Sequence, residues 1–356
     1  MKKGRHKNSV FTRLLAQINA FFALLLLLSY LVPYIAPDSL WPFGFLGLAY
    51  PLLLLINGIF LVAWIVLKKR FVLMPLLVIL AGWNHVGNHM QLIPSSKKEM
   101  PGQITLMSYN TQLTKHNDKE DNAGNVVSLI DSVVPDIICL QEFYYAGETM
   151  QTIRENIEAL AGYTVVNEKK GTNLLTYTHY RSANEGFLNA YGNTFALFSD
   201  IIAGNDTLRV YNIQLASNHL ADEKTLFDEQ PDWSKKQSQQ RATNIVRKLI
   251  KGYKGRVREV AILQEHLKQS PHPVVICGDF NDTPLSFSYH QIKGKRLQDA
   301  FKKSSTIGMS NTHNENLPPI RIDYILHDKS YETLFYERMD KTFSDHFAIV
   351  ATIGKQ

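Results

Sequence analysis

Cysteine is nearly absent from this chain. Of 356 residues only Cys139 and Cys277 are cysteines, each inside a short apolar run that reads as a buried strand, and no Cys-x-x-Cys spacing joins them. A disulfide scaffold and a thiolate metal site are thereby excluded, and both residues are expected as reduced core thiols. There is no internal repeat at a fixed solenoid period and no low-complexity tract. Charge of one sign is also scarce: 38 Lys and Arg against 32 Asp and Glu leave a formal net charge of +6. That excess would ordinarily invite a nucleic-acid partner, yet Lys2, Lys3, Arg5, Lys7, Arg13, Lys68, Lys69 and Arg70 all flank apolar segments. Membrane topology accounts for much of it.

Long hydrophobic runs are confined to the first quarter. Residues 14–36 and 45–67 are each long enough to cross about 30 Å of hydrocarbon as helices. The first is too long for a cleaved signal peptide, and a second run follows at once. The third, residues 71–83, is shorter, carries Pro75 and fades through Asn84, His85, Asn88 and His89 to Pro94. With three spans the basic amino terminus and the Lys68-Lys69-Arg70 turn lie in the cytoplasm and everything after Pro94 lies outside. Two spans satisfy the basic residues equally and leave the remainder inside. Three are preferred here, because the run stays apolar enough to cross if His85 and His89 reach the far interface. These histidines, four apart, have a ligand spacing but no acidic partner nearby, and are expected as interfacial residues. The expectation is a multi-pass anchor, residues 1–93 with two or three transmembrane helices, in a bacterial-type inner membrane. One large domain, residues 94–356, follows on the periplasmic side.

From Gln103 onward strand-like runs alternate with helical ones. Strands are expected at 104–109, 137–140, 174–177, 194–202, 208–215, 274–277, 322–326 and 347–353. Helical patterns fall at 125–133, 149–160 and 234–269, the last broken near Gly252-Tyr253-Lys254-Gly255. So many short strands imply stacked sheets with the helices outside, an α/β (α+β) architecture.

Polar groups collect where strands end. The first run leads into Asn110, the second into Gln141-Glu142, and 274–277 into Gly278-Asp279-Phe280-Asn281. Arg321-Ile322-Asp323-Tyr324 embeds an acid in a strand, and Ser344-Asp345-His346 precedes the last one. Any one of these could be a turn or cap. Asp323 is harder to dismiss, since a carboxylate between Ile322 and Ile325 must find a partner. An imidazole would serve, because an acid on one ring nitrogen fixes the tautomer and leaves the other nitrogen for proton transfer.

Taken together and in this order, the five motifs resemble those of the endonuclease/exonuclease/phosphatase superfamily, over essentially all of residues 103–353. The resemblance implies a four-layer α/β/β/α sandwich of two mixed sheets, preceded here by the transmembrane region, with a metal site at one edge. It implies Glu142 as the principal metal ligand with Asn110 and Asp345 nearby, and Asp279 orienting or activating the attacking water. Asn281 would hydrogen-bond a phosphate oxygen or that water. Asp323 would hold His346, which serves as general base or phosphate contact. Hard oxygen ligands without cysteine favour Mg²⁺ or Mn²⁺ over zinc.

One departure stands out. Family members with a middle-strand histidine read Asn-x-His-Leu, where this chain reads Asn212-Ile213-Gln214-Leu215. Asn212 and Gln214 are expected as weak phosphate contacts, though glutamine carries no charge. Apurinic endonucleases use tyrosine there, so the change does not by itself mean a dead enzyme. His219 and His313 are expected as exposed loop residues. The basic set Arg241, Arg247, Lys248, Lys251, Lys254, Arg256 and Arg258 is expected as a solvated helix face, with a grip on anionic headgroups as the alternative. Trp233 reads equally as a headgroup anchor or a packed aromatic. The expected function is a metal-dependent phosphoester hydrolase whose substrate is a lipid headgroup, nucleic acid or nucleotide. A catalytically silent membrane scaffold that binds a phosphorylated ligand is the alternative.

Overall fold

The structure, a computed structural model, describes residues 3–113, 120–143, 148–160, 162–168, 172–218, 235–313 and 320–356. His219 and Trp233 lie outside them.

Two amino-terminal helices, α1 (Lys3–Ser29) and α2 (Pro42–Val66), are antiparallel and apolar over lengths sufficient to cross a membrane. A polar pin joins them: Trp64 Nε1 donates to Asn19 Oδ1 at 2.9 Å, and Asn57 Nδ2 donates to Phe22 O at 3.2 Å. Amides between apolar helices hold a contact that hydrophobicity alone would not orient. The third run is not one straight helix. It forms α3 (Leu73–Ala81) and α4 (Trp83–His89), bent by 65°. The break is at Gly82, where a Cβ would fall 2.1 Å from Tyr30 Cζ. Tyr30 packs into the bend, its hydroxyl donating to Val78 O at 2.9 Å and its ring stacking on His85. His89 is buried against Tyr50. The two histidines are thus taken up by separate tyrosines.

The remainder builds two sheets. The first runs in the order β11 (Tyr331–Arg338), β12 (Ile349–Lys355), β1 (Ile104–Leu113), β2 (Ile137–Phe143), β4 (Leu175–Thr178) and β3 (Thr164–Glu168). The second runs β5 (Arg181–Ala190), β6 (Asn193–Ala203), β7 (Asp206–Gln214), β8 (Val274–Asp279), β10 (Asp323–Asp328) and β9 (Leu297–Asp299). Each is mixed, with one parallel pair at its centre, β1 with β2 and β7 with β8. Their inner faces bury Leu106, Ile137, Val210, Val275, Ile325 and both free cysteines. Helices α5 (Glu120–Val133) and α6 (Glu148–Ala159) cover the outside of the first sheet, and α7 (Lys235–Lys268) and α8 (Phe287–Lys293) that of the second. This is a four-layer α/β/β/α sandwich.

Helix α7 is continuous where a break was expected. Gly252 and Gly255 serve close packing instead: a Cβ on Gly255 would lie 2.7 Å from Ala216 Cβ, and one on Gly252 2.5 Å from Asn218 Oδ1. Nor does Arg256 belong to a solvated face. It is fully buried, its Nε 3.2 Å from Asp282 Oδ2 and its Nη1 donating to Ala216 O.

Candidate active site

Register brings the polar strand ends together. Gln214 pairs with Asp279 across β7 and β8, Asp279 with Asp323 across β8 and β10, and Asn110 with Gln141 across β1 and β2. The carboxy-terminal ends of both parallel pairs therefore open on the same edge of the sandwich.

At that edge Asp279 is buried and accepts from Asn281 N at 2.7 Å, Asn281 Nδ2 at 3.0 Å and Asn110 Nδ2 at 3.1 Å. Burial and the neighbouring Asp323 nevertheless push its carboxyl up to about 7. Asp323 Oδ2 lies 2.9 Å from His346 Nδ1, while Asp323 Oδ1 is buried without a hydrogen-bond partner. The backbone nitrogens of Ile322 and Asp323 both donate to Thr312 Oγ1, which fixes the start of β10. The second imidazole nitrogen of His346, Nε2, stands 4.0 Å from both Asp279 Oδ2 and Asp345 Oδ1. Burial pulls this histidine down, but the facing acids Asp323, Asp279 and Asp345 outweigh it and lift it to about 10.

On the other side, Glu142 Oε1 accepts from Gln214 Nε2 at 2.6 Å and from Asn110 Nδ2 at 3.1 Å. Asn110 thus turns its amide nitrogen toward both Glu142 and Asp279. Asp345 Oδ2 accepts from Gln112 Nε2 at 2.9 Å, and Ser344 Oγ donates to the backbone oxygen of Asn110. Gln112, Glu142 and Asn281 all hold φ near +50°. Left-handed backbone on three non-glycine residues of one site is strain kept where it orients side chains.

The donor chemistry fits a divalent cation. The carboxylates of Glu142, Asp279, Asp323 and Asp345 lie around Asn110 and His346, and one buried oxygen of Asp323 has no hydrogen-bond partner. Among the described residues, two groups place all their ligand atoms within 4.8 Å of one another: Asp279, Asp323 and His346, and His313, Asp345 and His346. Glu142 belongs to neither group, and Asn110 stands between it and Asp279 with its amide nitrogen facing both.

Three expectations change. Asn281 has no amide hydrogen left for a phosphate oxygen, because its Nδ2 donates to Leu215 O and to Asp279 Oδ2, each at 3.0 Å. Asn212 does not face the site. Its Nδ2 donates to Leu140 O and Leu175 O and its Oδ1 accepts from Gln141, so it stitches the two sheets together and has nothing left for phosphate. His313 is not an exposed loop residue. It pairs with His346 through the backbone, crosses its ring edge-on at 5.1 Å and brings Nε2 to 3.9 Å from Asp345. Gln112 and Thr312 escaped the sequence. Gln112 alone left a signal, standing two positions beyond Asn110 on the same strand.

The model of the endonuclease/exonuclease/phosphatase family matches residues 107–346, and one described as a domain of unknown function matches residues 12–89. No curated protein matches the chain. Among solved structures, an endonuclease/exonuclease/phosphatase family protein from Bacteroides thetaiotaomicron is similar at 16% identity and a TM-score of 0.52, over 72% of this chain and 98% of that one. A mannosyl-6-phosphatase from the same organism is 17% identical with a TM-score of 0.50, over 70% and 99%. A humanized D. rerio TDP2 is 14% identical with a TM-score of 0.50, over 71% and 100%. At these identities the likeness is one of fold.

Proposed function

This chain belongs to the endonuclease/exonuclease/phosphatase family, and from that premise we propose that it is a divalent-metal-dependent phosphoester hydrolase held in a membrane by its amino-terminal helices. The observation that carries the reading is the Asp279–Asp323–His346 group, buried at the end of the parallel strands with Asn281 locked onto Asp279. Nothing in the packing of the sandwich requires three ionisable groups there, and burying them is costly unless they act together.

Glu142 and Asp345, with Asn110, would hold Mg²⁺ or Mn²⁺. When bound, such an ion supplies positive charge against phosphoryl oxygens as charge builds during in-line displacement. Asp279, with its carboxyl near 7, is the group suited to take a proton from the attacking water. His346, whose charged form is favoured by Asp323, would donate from Nε2 to a phosphoryl oxygen, the role this arrangement supports over that of general base. Asn281 is a positioning residue through Asp279. Gln214 directs its amide at Glu142 and so orients that carboxylate.

The positive-inside bias of the amino terminus and of Lys68, Lys69 and Arg70 puts both basic sites in the cytoplasm and fits two spans as well as three. The return of α3 is what supports an extracytoplasmic domain: Phe71 lies beside Trp64, and Gly82 beside Tyr30 at the other end of the helices.

The test is a panel on the purified full chain offering bis(p-nitrophenyl) phosphate, p-nitrophenyl phosphate, DNA, RNA and phospholipid vesicles with Mg²⁺, Mn²⁺ or chelator. Hydrolysis of at least one substrate, stopped by chelator, is expected. Folded protein that hydrolyses none of them contradicts the reading and favours a silent phospholigand binder.

A further inference from the structure

The site-bearing edge of the sandwich is the edge that meets the anchor. A hydrocarbon layer of about 30 Å takes ~20 helical residues. Counted from Arg13, where the apolar run of α1 begins, it ends near Pro33; counted back from Leu67, just before the basic turn, it ends near Gly47. Both end points touch the catalytic domain. Gln291 Nε2 donates to Pro33 O at 3.4 Å, and Thr283 Oγ1 donates to Gly47 O at 3.3 Å. Phe45 packs edge-on against Tyr253, and Leu285 is buried among Leu26, Val32 and Tyr50.

The segments making these contacts are continuations of the site. Thr283 is four residues beyond Asp279, so at about 3.5 Å per residue the two lie at most ~14 Å apart. Arg321, two residues before Asp323, donates to Asn88 O of α4 at 2.9 Å. The segment that ends at His313 pairs its Gly308 with Gln91 just after α4. Beside that pairing the surface is apolar and open: Ile307 is 69% exposed and Ile93 77%, with Met309 and Leu92 half-exposed. A cavity lined by Pro51 and His89 of the anchor and by Thr283, Met309 and Ile320 of the domain continues the same boundary. Tyr34 and Trp41, between the two spans in the chain, and Trp83 at the head of α4 are exposed, as interfacial aromatics are.

Resting on the hydrolase reading, we propose that the substrate is a lipid of the same membrane, whose phosphoester headgroup enters the site from the bilayer side while Ile307 and Met309 lie against its apolar part. A soluble nucleotide gains nothing from an apolar rim. A nucleic acid would have to thread between the bilayer and the sandwich, against the negative potential of anionic lipids.

The experiment reconstitutes the full chain with Mg²⁺ into vesicles of a phosphorus-free galactolipid. These are doped in turn with phosphatidic acid, phosphatidylglycerol, phosphatidylethanolamine or a phosphatidylinositol phosphate, and phosphorus released to the aqueous phase is measured. The deacylated counterpart of each lipid, ATP, DNA and bis(p-nitrophenyl) phosphate form the soluble arms. At least one lipid should be hydrolysed about tenfold or more faster than its deacylated counterpart at equal bulk concentration, because a shared plane raises the effective concentration. Soluble substrates hydrolysed as fast as or faster than every lipid would overturn the lipid assignment and leave the hydrolase reading standing. Inactivity on all arms, the artificial diester included, would overturn both.

Discussion

His346 Nδ1 stands 2.9 Å from Asp323 Oδ2, and this contact sets the charge of the imidazole that faces Asp279 and Asp345. Replacing the acid in Asp323→Asn removes the main group that stabilises the imidazolium. The pKa of His346 should then fall from about 10 toward the ordinary ~6.5, because a lost negative neighbour disfavours the charged form. Hydrolysis at neutral pH should drop about 10²-fold or more, with the alkaline limb of the pH–rate profile displaced to lower pH. A pH–rate profile of both proteins checks this.

Gln214 is tied to Glu142 at 2.6 Å. A hydrogen bond to a charged group contributes roughly 1.5–3 kcal/mol. Gln214→Leu should therefore lower the rate about tenfold or more and raise the Mg²⁺ concentration needed for half-maximal rate. Gln214→His restores a donor with a charge and should equal or exceed the wild-type rate. Steady-state kinetics at varied Mg²⁺ separate the three proteins.

Gly278 has φ +150°, and a Cβ there would sit 1.9 Å from Ile213 O in the paired strand. The obstacle is backbone and cannot rotate away. Gly278→Ala should destabilise the sandwich by about 3 kcal/mol or more. A chemical denaturation midpoint, or failure to recover folded protein, reads the effect.

Asp299 carries the clearest pH dependence of stability. Burial acts to raise its carboxyl, but Arg321, Tyr289 and the Phe301 backbone N–H hold it below the ordinary range. A group depressed in the folded state contributes stability that is fully present above its unfolded value of ~3.9 and is lost as pH falls through the folded value. Acid unfolding should therefore set in below about pH 4. Asp299→Ala, which leaves Arg321 buried and unpaired, should cost about 3–5 kcal/mol at pH 7. Thermal melts of both proteins across pH test the sign and the size.

The strands expected from the sequence are all interior to the two sheets, whereas β3, β5, β9 and β11, which carry no continuous apolar run, are the four sheet edges. An edge strand such as Arg181–Ala190 leaves one rim to solvent and has no need of a continuous apolar pattern. The same logic sorts the site. Asp279, Asp323 and His346 were legible because each is a polar group lodged where apolar strands end. Asn212 looked alike in sequence, yet its neighbours on the facing sheet, Leu140 and Gln141, decide its fate, and that pairing is visible only in three dimensions. His313 sits in a polar stretch with no periodicity and reaches His346 through a two-residue bridge. Arg256 reads as one more cation on a basic helix, and Asp282, Ala216 and Asn218, all distant in the chain, draw it inside.

The most direct measurement is the initial rate of Mg²⁺-supported hydrolysis of bis(p-nitrophenyl) phosphate by the full chain and by Asp279→Asn, which keeps the size of the side chain and removes its proton-accepting carboxylate. The expected result is a loss of about 10²–10⁴-fold with folding intact, the contribution ordinarily made by a positioned acid–base group. An unchanged rate in Asp279→Asn, or a wild-type rate indifferent to chelator, would contradict a metal-dependent hydrolase centred on Asp279, Asp323 and His346.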